Sequence, residues 1–94
     1  GNRVAAMIYG PKSVIVVAGI NKIVKNADEA VERVRRIAAP ANTVRLNKNT
    51  PCTKTGYCMD CRTEDRICCS YTIFRQQREK GRIKVILVGE SLGY

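Results

Sequence analysis

Histidine and tryptophan are absent from this 94-residue chain, and phenylalanine occurs once. Without histidine, any four-ligand zinc site has to be built from thiolates alone. With one Phe and four Tyr as the only aromatic residues, nucleic-acid bases have little to stack on. No apolar run approaches the ~20 residues a helix needs to span a bilayer, and no basic start, apolar centre and small-residue cleavage site marks a secretory leader. Internal repeats, low-complexity segments and concentrated basic blocks are missing too. The net charge of +9 and pI near 9.7 are therefore spread along the chain. They favour solubility or attraction to an anionic ligand over a nucleic-acid interface.

What is present is enough to fold. Apolar residues make up 45% and charged residues 27% of the chain, ordinary globular usage. Ninety-four residues allow one domain with a modest core, which a metal or cross-link would help. All five cysteines fall within 51–69, PCTKTGYCMDCRTEDRICC. An odd count at close spacing favours a reducing compartment, so a cytoplasmic location is expected. Cys52, Cys58, Cys61 and either Cys68 or Cys69 can close on zinc or an iron-sulfur cluster, because thiolates are soft anionic ligands. Lys54, Arg62 and Arg66 would offset the negative charge, and Gly56 lets the loop bend. The alternative is a loop of redox thiols, or of thiols that pack as small apolar groups or oxidise with no metal bound.

Along the chain, 1–9 is expected to end a helix stopped by Gly10-Pro11. Val14 to Gly19 (VIVVAG) has the unbroken β-branched character of a strand covered on both faces of a parallel sheet. Asn26 and Glu29 suit a helix start, and Ala27, Ala30, Val31, Val34, Ile37 and Ala38 would form one apolar face until Pro40 ends or bends the helix. Residues 47–69 are expected to be loop, Tyr71 to Phe74 a strand, 75–81 a charged turn and Ile83 to Val88 a second buried strand. Gly19, Asn21 and Lys22 follow the first strand, where α/β sheets place ligands, so Lys22 could hold a carboxylate or phosphate while Asn21 orients it; a plain turn is the alternative. Too few helices accompany these strands to cover a parallel sheet, so the chain is expected either to be part of a larger domain or to self-associate into a homo-oligomer.

GPKSVIVVAGINKIV at 10–24, the PC-x5-C-x2-C-x4-RIC pattern at 51–68 and the closing LVGESLGY together resemble the carboxy-terminal half of the LUD-domain, or lactate-utilisation, proteins in a cysteine-bearing branch. The resemblance covers nearly all of 1–94. It implies an α/β fold with a mostly parallel sheet flanked by helices, similar to the sugar-isomerase and CoA-transferase superfamily, seen here as a partial domain. It also implies a role in oxidising a small hydroxy acid such as lactate, with iron-sulfur or flavin oxidoreductase subunits as partners. In a CoA-transferase-like fold, Glu90 after the last strand becomes a candidate catalytic carboxylate. The runner-up reading is a zinc-stabilised basic module that binds nucleic acid or protein.

Overall fold

The computed structural model describes residues 2–94, except the side chain of Asn2; Gly1, part of the expected first helix, lies outside the described residues. The chain divides into two compact units, one running to Lys22 and resuming at Tyr71–Gly93, the other Ile23–Ser70.

In the first unit, helix α1 (Asn2–Ile8) leads to strand β1 (Val14–Gly19), which pairs in parallel with β2 (Ile83–Val88). The register sets Val14 opposite Ile83 and Gly19 opposite Val88, so both strands end together. Backbone bonds continue the ladder past each end, Val14 N–H to the Arg82 carbonyl at 2.8 Å and Ile20 N–H to the Glu90 carbonyl at 3.1 Å. The β-branched and aliphatic residues that make up five of the six positions in each strand, with Gly19 ending β1 and Lys84 second in β2, explain both.

Both strands fall where the sequence places them, but among the described residues the expected cover on two faces is not there. Ile15, Val17, Val85, Ile86 and Leu87 are each at least half exposed. A two-stranded pair has no second layer to bury side chains that point alternately up and down. Tyr71 to Phe74 is likewise no strand. Its apolar residues have the propensity, but a strand exists by pairing, and this segment has no ladder partner. The charged turn is as expected, with Gly81 at φ +73 and Arg82 N–H on the Glu79 carbonyl.

The second unit is built on one helical run. Helix α2 (Ala27–Arg33) opens with Asn26 in extended conformation, its Oδ1 accepting from Glu29 N–H at 2.9 Å. The Glu29 carboxylate reaches back to Lys25 N–H at 3.0 Å. A π-turn over Val34–Ala38 follows, then α3 (Ala39–Arg45). Pro40 therefore neither ends the helix nor leaves it regular. Its ring would press on the carbonyl four residues back in an α-helix, and the wider turn just before it relieves that clash. The extra residue in the turn also rotates the apolar face. Ala27, Ala30 and Ile37 are exposed, while burial passes through Val31 and Val34 to Ala39, Pro40 and Thr43.

Helix α3 closes with Asn47 in the left-handed region at φ +50, Lys48 N–H on the Thr43 carbonyl and Asn47 N–H on that of Val44. This is the paired carbonyl capture of a Schellman ending, with Asn in place of Gly. The expected loop then contains a further short helix, α4 (Pro51–Thr55). Pro51 stands in its first turn, and Gly56 at φ +72 gives its N–H to the Cys52 carbonyl. Both residues read as loop punctuation in the sequence; here they start and stop a helix. Thr43, at 2% exposure, and Thr50 pack with Ala39 and Cys52 between α3 and α4.

Candidate functional site

Parallel pairing brings the first group of expected site residues to one edge. Asn21 bridges the two loops that leave the strands: its Oδ1 accepts from Leu92 N–H at 3.1 Å and its Nδ2 donates to the Gly93 carbonyl at 3.0 Å. One side-chain amide thus replaces a further rung of the ladder. Gly19 is buried beneath this bridge, where a Cβ would lie 2.5 Å from Asn21 Oδ1, the Glu90 carbonyl oxygen and Leu92 N. Gly93 has φ +62, and a Cβ there would stand 3.6 Å from Lys22 Nζ. The ammonium of Lys22 therefore lies beside the glycine end of the second loop. Glu90 joins the edge through its backbone carbonyl, and its side chain is exposed.

Gly19, Asn21, Lys22 and Glu90 are thus gathered as the sequence suggests, though Asn21 is a clamp on the protein itself. Leu92 and Gly93 escaped notice as parts of the site. The signal was a glycine after the last strand at the position where the chain must turn back.

The cysteines, by contrast, are divided. Cys52, 7% exposed, lies in α4 with its sulfur 3.2 Å from Thr50 Oγ1 and 3.5 Å from Thr43 Oγ1. Cys58 is held by its backbone. Ala39 N–H turns to the Val34 carbonyl across the π-turn, and Pro40 has no N–H to offer the Arg35 carbonyl, which accepts Cys58 N–H at 3.2 Å instead. In the 58–61 segment Asp60 has φ +48 with its N–H 3.4 Å from Cys58 Sγ. Thr63 Oγ1 lies 3.7 Å from Cys61 Sγ.

Arg66 joins this segment to the last two cysteines. Its guanidinium donates to the carbonyl of Cys61 and, at 3.2 Å, to that of Cys68, and pairs with Asp60 at 2.9 Å. Its backbone carbonyl accepts from Cys69 Sγ at 3.3 Å. The Asp60 carboxylate is the main cause that holds this guanidinium charged, with the field of Cys68 and Cys61 adding to it. The five thiols are free, and no three Cys, Asp or Glu side chains among the described residues are grouped for metal ligation. Sequence spacing alone gave no sign that Cys52 stands apart; the hydroxyls of Thr43 and Thr50, on either side of it in space, are what mark it.

A smaller device steadies the loop's start. Asp65 accepts Asn49 N–H at 2.7 Å and faces Lys48 at 3.6 Å, so chiefly that backbone bond holds its carboxyl below the ordinary range against partial desolvation. A lowered folded pKa means the link is present above the unfolded value and lost as pH falls through the folded one. Amide exchange at Asn49 should therefore lose protection only as pH falls below the ordinary carboxylate range. Asp65→Asn should remove that pH step; a step that survives the substitution would assign it to another group.

No helix among the described residues is long and apolar enough to cross a membrane. The sequence model of the LUD-domain family matches residues 1–88. No curated protein and no solved structure matches the chain.

Proposed function

Because the chain belongs to the LUD-domain family, we propose that it serves lactate-utilisation-related metabolism, binding a small carboxylate such as a 2-hydroxy acid at the carboxyl ends of β1 and β2. The observation that supports this most directly is the Asn21 bridge, which holds the 90–93 loop beside the Lys22 ammonium. A cation next to glycine backbone at strand ends suits an anionic headgroup, since a glycine lets a ligand approach the main chain closely. Lys22 would attract the carboxylate, Asn21 and Gly19 would hold the loops in place, and Glu90 is the candidate acidic group at the same edge. The parallel pair would belong to a mostly parallel sheet of the sugar-isomerase and CoA-transferase type, with 1–94 as the carboxy-terminal part of that domain.

In this reading the cysteine segment binds an iron-sulfur cluster or docks near one held by an iron-sulfur or flavin oxidoreductase subunit. A cluster would supply one-electron transfer. Cys52 does not fit the ligand set, because its sulfur is buried and engaged by two hydroxyls; the other four thiols are the ones available.

Titration of the full chain with L-lactate, followed by amide NMR, tests the site. Shifts are expected at Ile20–Lys22 and Leu92–Gly93, and Lys22→Met, which keeps the stem and removes the charge, should weaken binding roughly tenfold. Lactate shifts confined to other segments, or affinity unchanged in Lys22→Met, would remove this assignment.

A further inference from the structure

We propose that a cleft at the amino ends of β1 and β2 binds a small phosphate monoester carrying a planar ring, of the nucleoside monophosphate class: Lys12 and Arg78 take the phosphate, and Tyr9 stacks on the ring. The cleft measures about 240 Å³ and opens within the first unit, between the 8–12 segment and the turn that leads into β2. Six residues of strand, about 20 Å, separate it from the 19–22 and 90–93 loops at the other end of the pair. It is therefore a different site from the one proposed for lactate.

Three observations carry the proposal. First, the walls are tied to each other. The Arg82 guanidinium donates to the carbonyls of Ala6, Met7 and Pro11, and Lys84 Nζ donates to Ser13 Oγ at 2.9 Å and to the Gly81 carbonyl at 2.8 Å. Second, the lining is cationic, with Lys12, Arg78 and Arg82 against Glu79 as the one acidic side chain. Arg82 is committed to the frame, whereas the side chains of Lys12 and Arg78 are exposed and make no hydrogen bond or ion pair among the described residues. Third, Tyr9 lines the same cleft at 78% exposure, with its ring open to a ligand.

These features select the ligand's chemistry. Cations of one sign around a cleft focus its field and draw in an anion. A guanidinium offers a planar fork that matches phosphate oxygens, and an ammonium adds a point charge, so Arg78 and Lys12 from opposite walls suit one phosphate group better than a singly charged carboxylate. Inorganic phosphate would leave the Tyr9 ring unused, while a heterocycle can stack on its face. Gln77 and Glu79, on the wall with Arg78, supply acceptors for the hydroxyl or amino groups that such a ligand carries and a bare phosphate lacks. The net charge of +9 is spread along the chain, but here it meets a concave surface and an aromatic ring.

Titration of the full chain with adenosine monophosphate, followed by amide NMR, tests the site. Shifts are expected at Tyr9, Gly10, Lys12 and 77–79, with 20–22 and 92–93 unmoved. Lys12→Met and Arg78→Met should each weaken binding about tenfold through the loss of one charge-assisted contact. Both should leave the urea midpoint unchanged, because neither side chain is bonded within the fold among the described residues. Tyr9→Leu should weaken adenosine monophosphate about tenfold and leave the weaker binding of inorganic phosphate as it was, since only stacking is lost. Absent shifts, shifts confined to other segments, wild-type affinity in Arg78→Met or Tyr9→Leu, or inorganic phosphate bound as tightly as adenosine monophosphate would overturn the proposal. Lactate binding can fail while this site holds, and the reverse.

Discussion

Arg82→Met is expected to destabilise the chain by about 3 kcal/mol, from the loss of charge-assisted hydrogen bonds. Arg82 is 9% exposed, and three of its nitrogens are used: Nε on the Pro11 carbonyl at 2.8 Å, Nη1 on Met7 and Nη2 on Ala6, both at 2.9 Å. Ala6 and Met7 belong to the last turn of α1, where carbonyls have no helical partner and the dipole end is negative. One residue before β2 thus holds the end of α1 and the start of the β1 approach. Methionine keeps much of the stem and supplies no donor, leaving three part-buried carbonyl bonds unmade. Arg82→Lys should fall between, since an ammonium is a point donor and cannot span three carbonyls. Urea unfolding followed by circular dichroism measures the change. A midpoint shift worth less than about 0.5 kcal/mol, the range of ordinary surface substitutions, would contradict this account.

Gly19→Ala should cost a similar amount, about 3 kcal/mol as overpacking, and should also dissolve the proposed carboxylate site. Its Cβ would lie 2.5 Å from three atoms, two of which are backbone: the Glu90 carbonyl oxygen and Leu92 N. Neither can move without stretching the bond from Ile20 N–H to Glu90 or that from Leu92 N–H to Asn21. The expected result is loss of the amide NMR response of Leu92 and Gly93 to lactate together with a lower urea midpoint. Gly89→Ala is the matched control, since a Cβ there meets nothing within 4 Å. If the two alanine variants behave alike, the close packing under the Asn21 bridge has no energetic weight.

These two positions show where sequence reasoning reaches its limit. Both strands were legible residue for residue, because a run of Val and Ile states a local preference that needs no partner to be read. The helix start at Asn26 was legible for the same reason, as a cap is satisfied within a few residues. Pro40 was read as ending or bending the helix; the helix continues through a π-turn just before it, and the freed Arg35 carbonyl holds Cys58. Nothing near Pro40 in sequence announces a partner eighteen residues on. Arg66 was read only as a charge offsetting the thiolates and Arg82 was not singled out, because a basic residue declares its partners only when distant carbonyls are brought to it.

For the cysteines, the sequence was enough to identify five soft ligands in one segment, without histidine, between a helix and the last strand. Tertiary structure separated them. Cys52 is buried on α4 with Thr43, nine residues away on another helix, and Thr50 at its sulfur, while the Arg35 carbonyl holds Cys58 and Arg66 is bonded to Cys61, Cys68 and Cys69. Residue type and spacing encode what a segment can ligate, since that chemistry resides in the side chains. Which thiols are free to do so depends on burial and on hydrogen bonds between residues distant along the chain, and those exist only once it has folded.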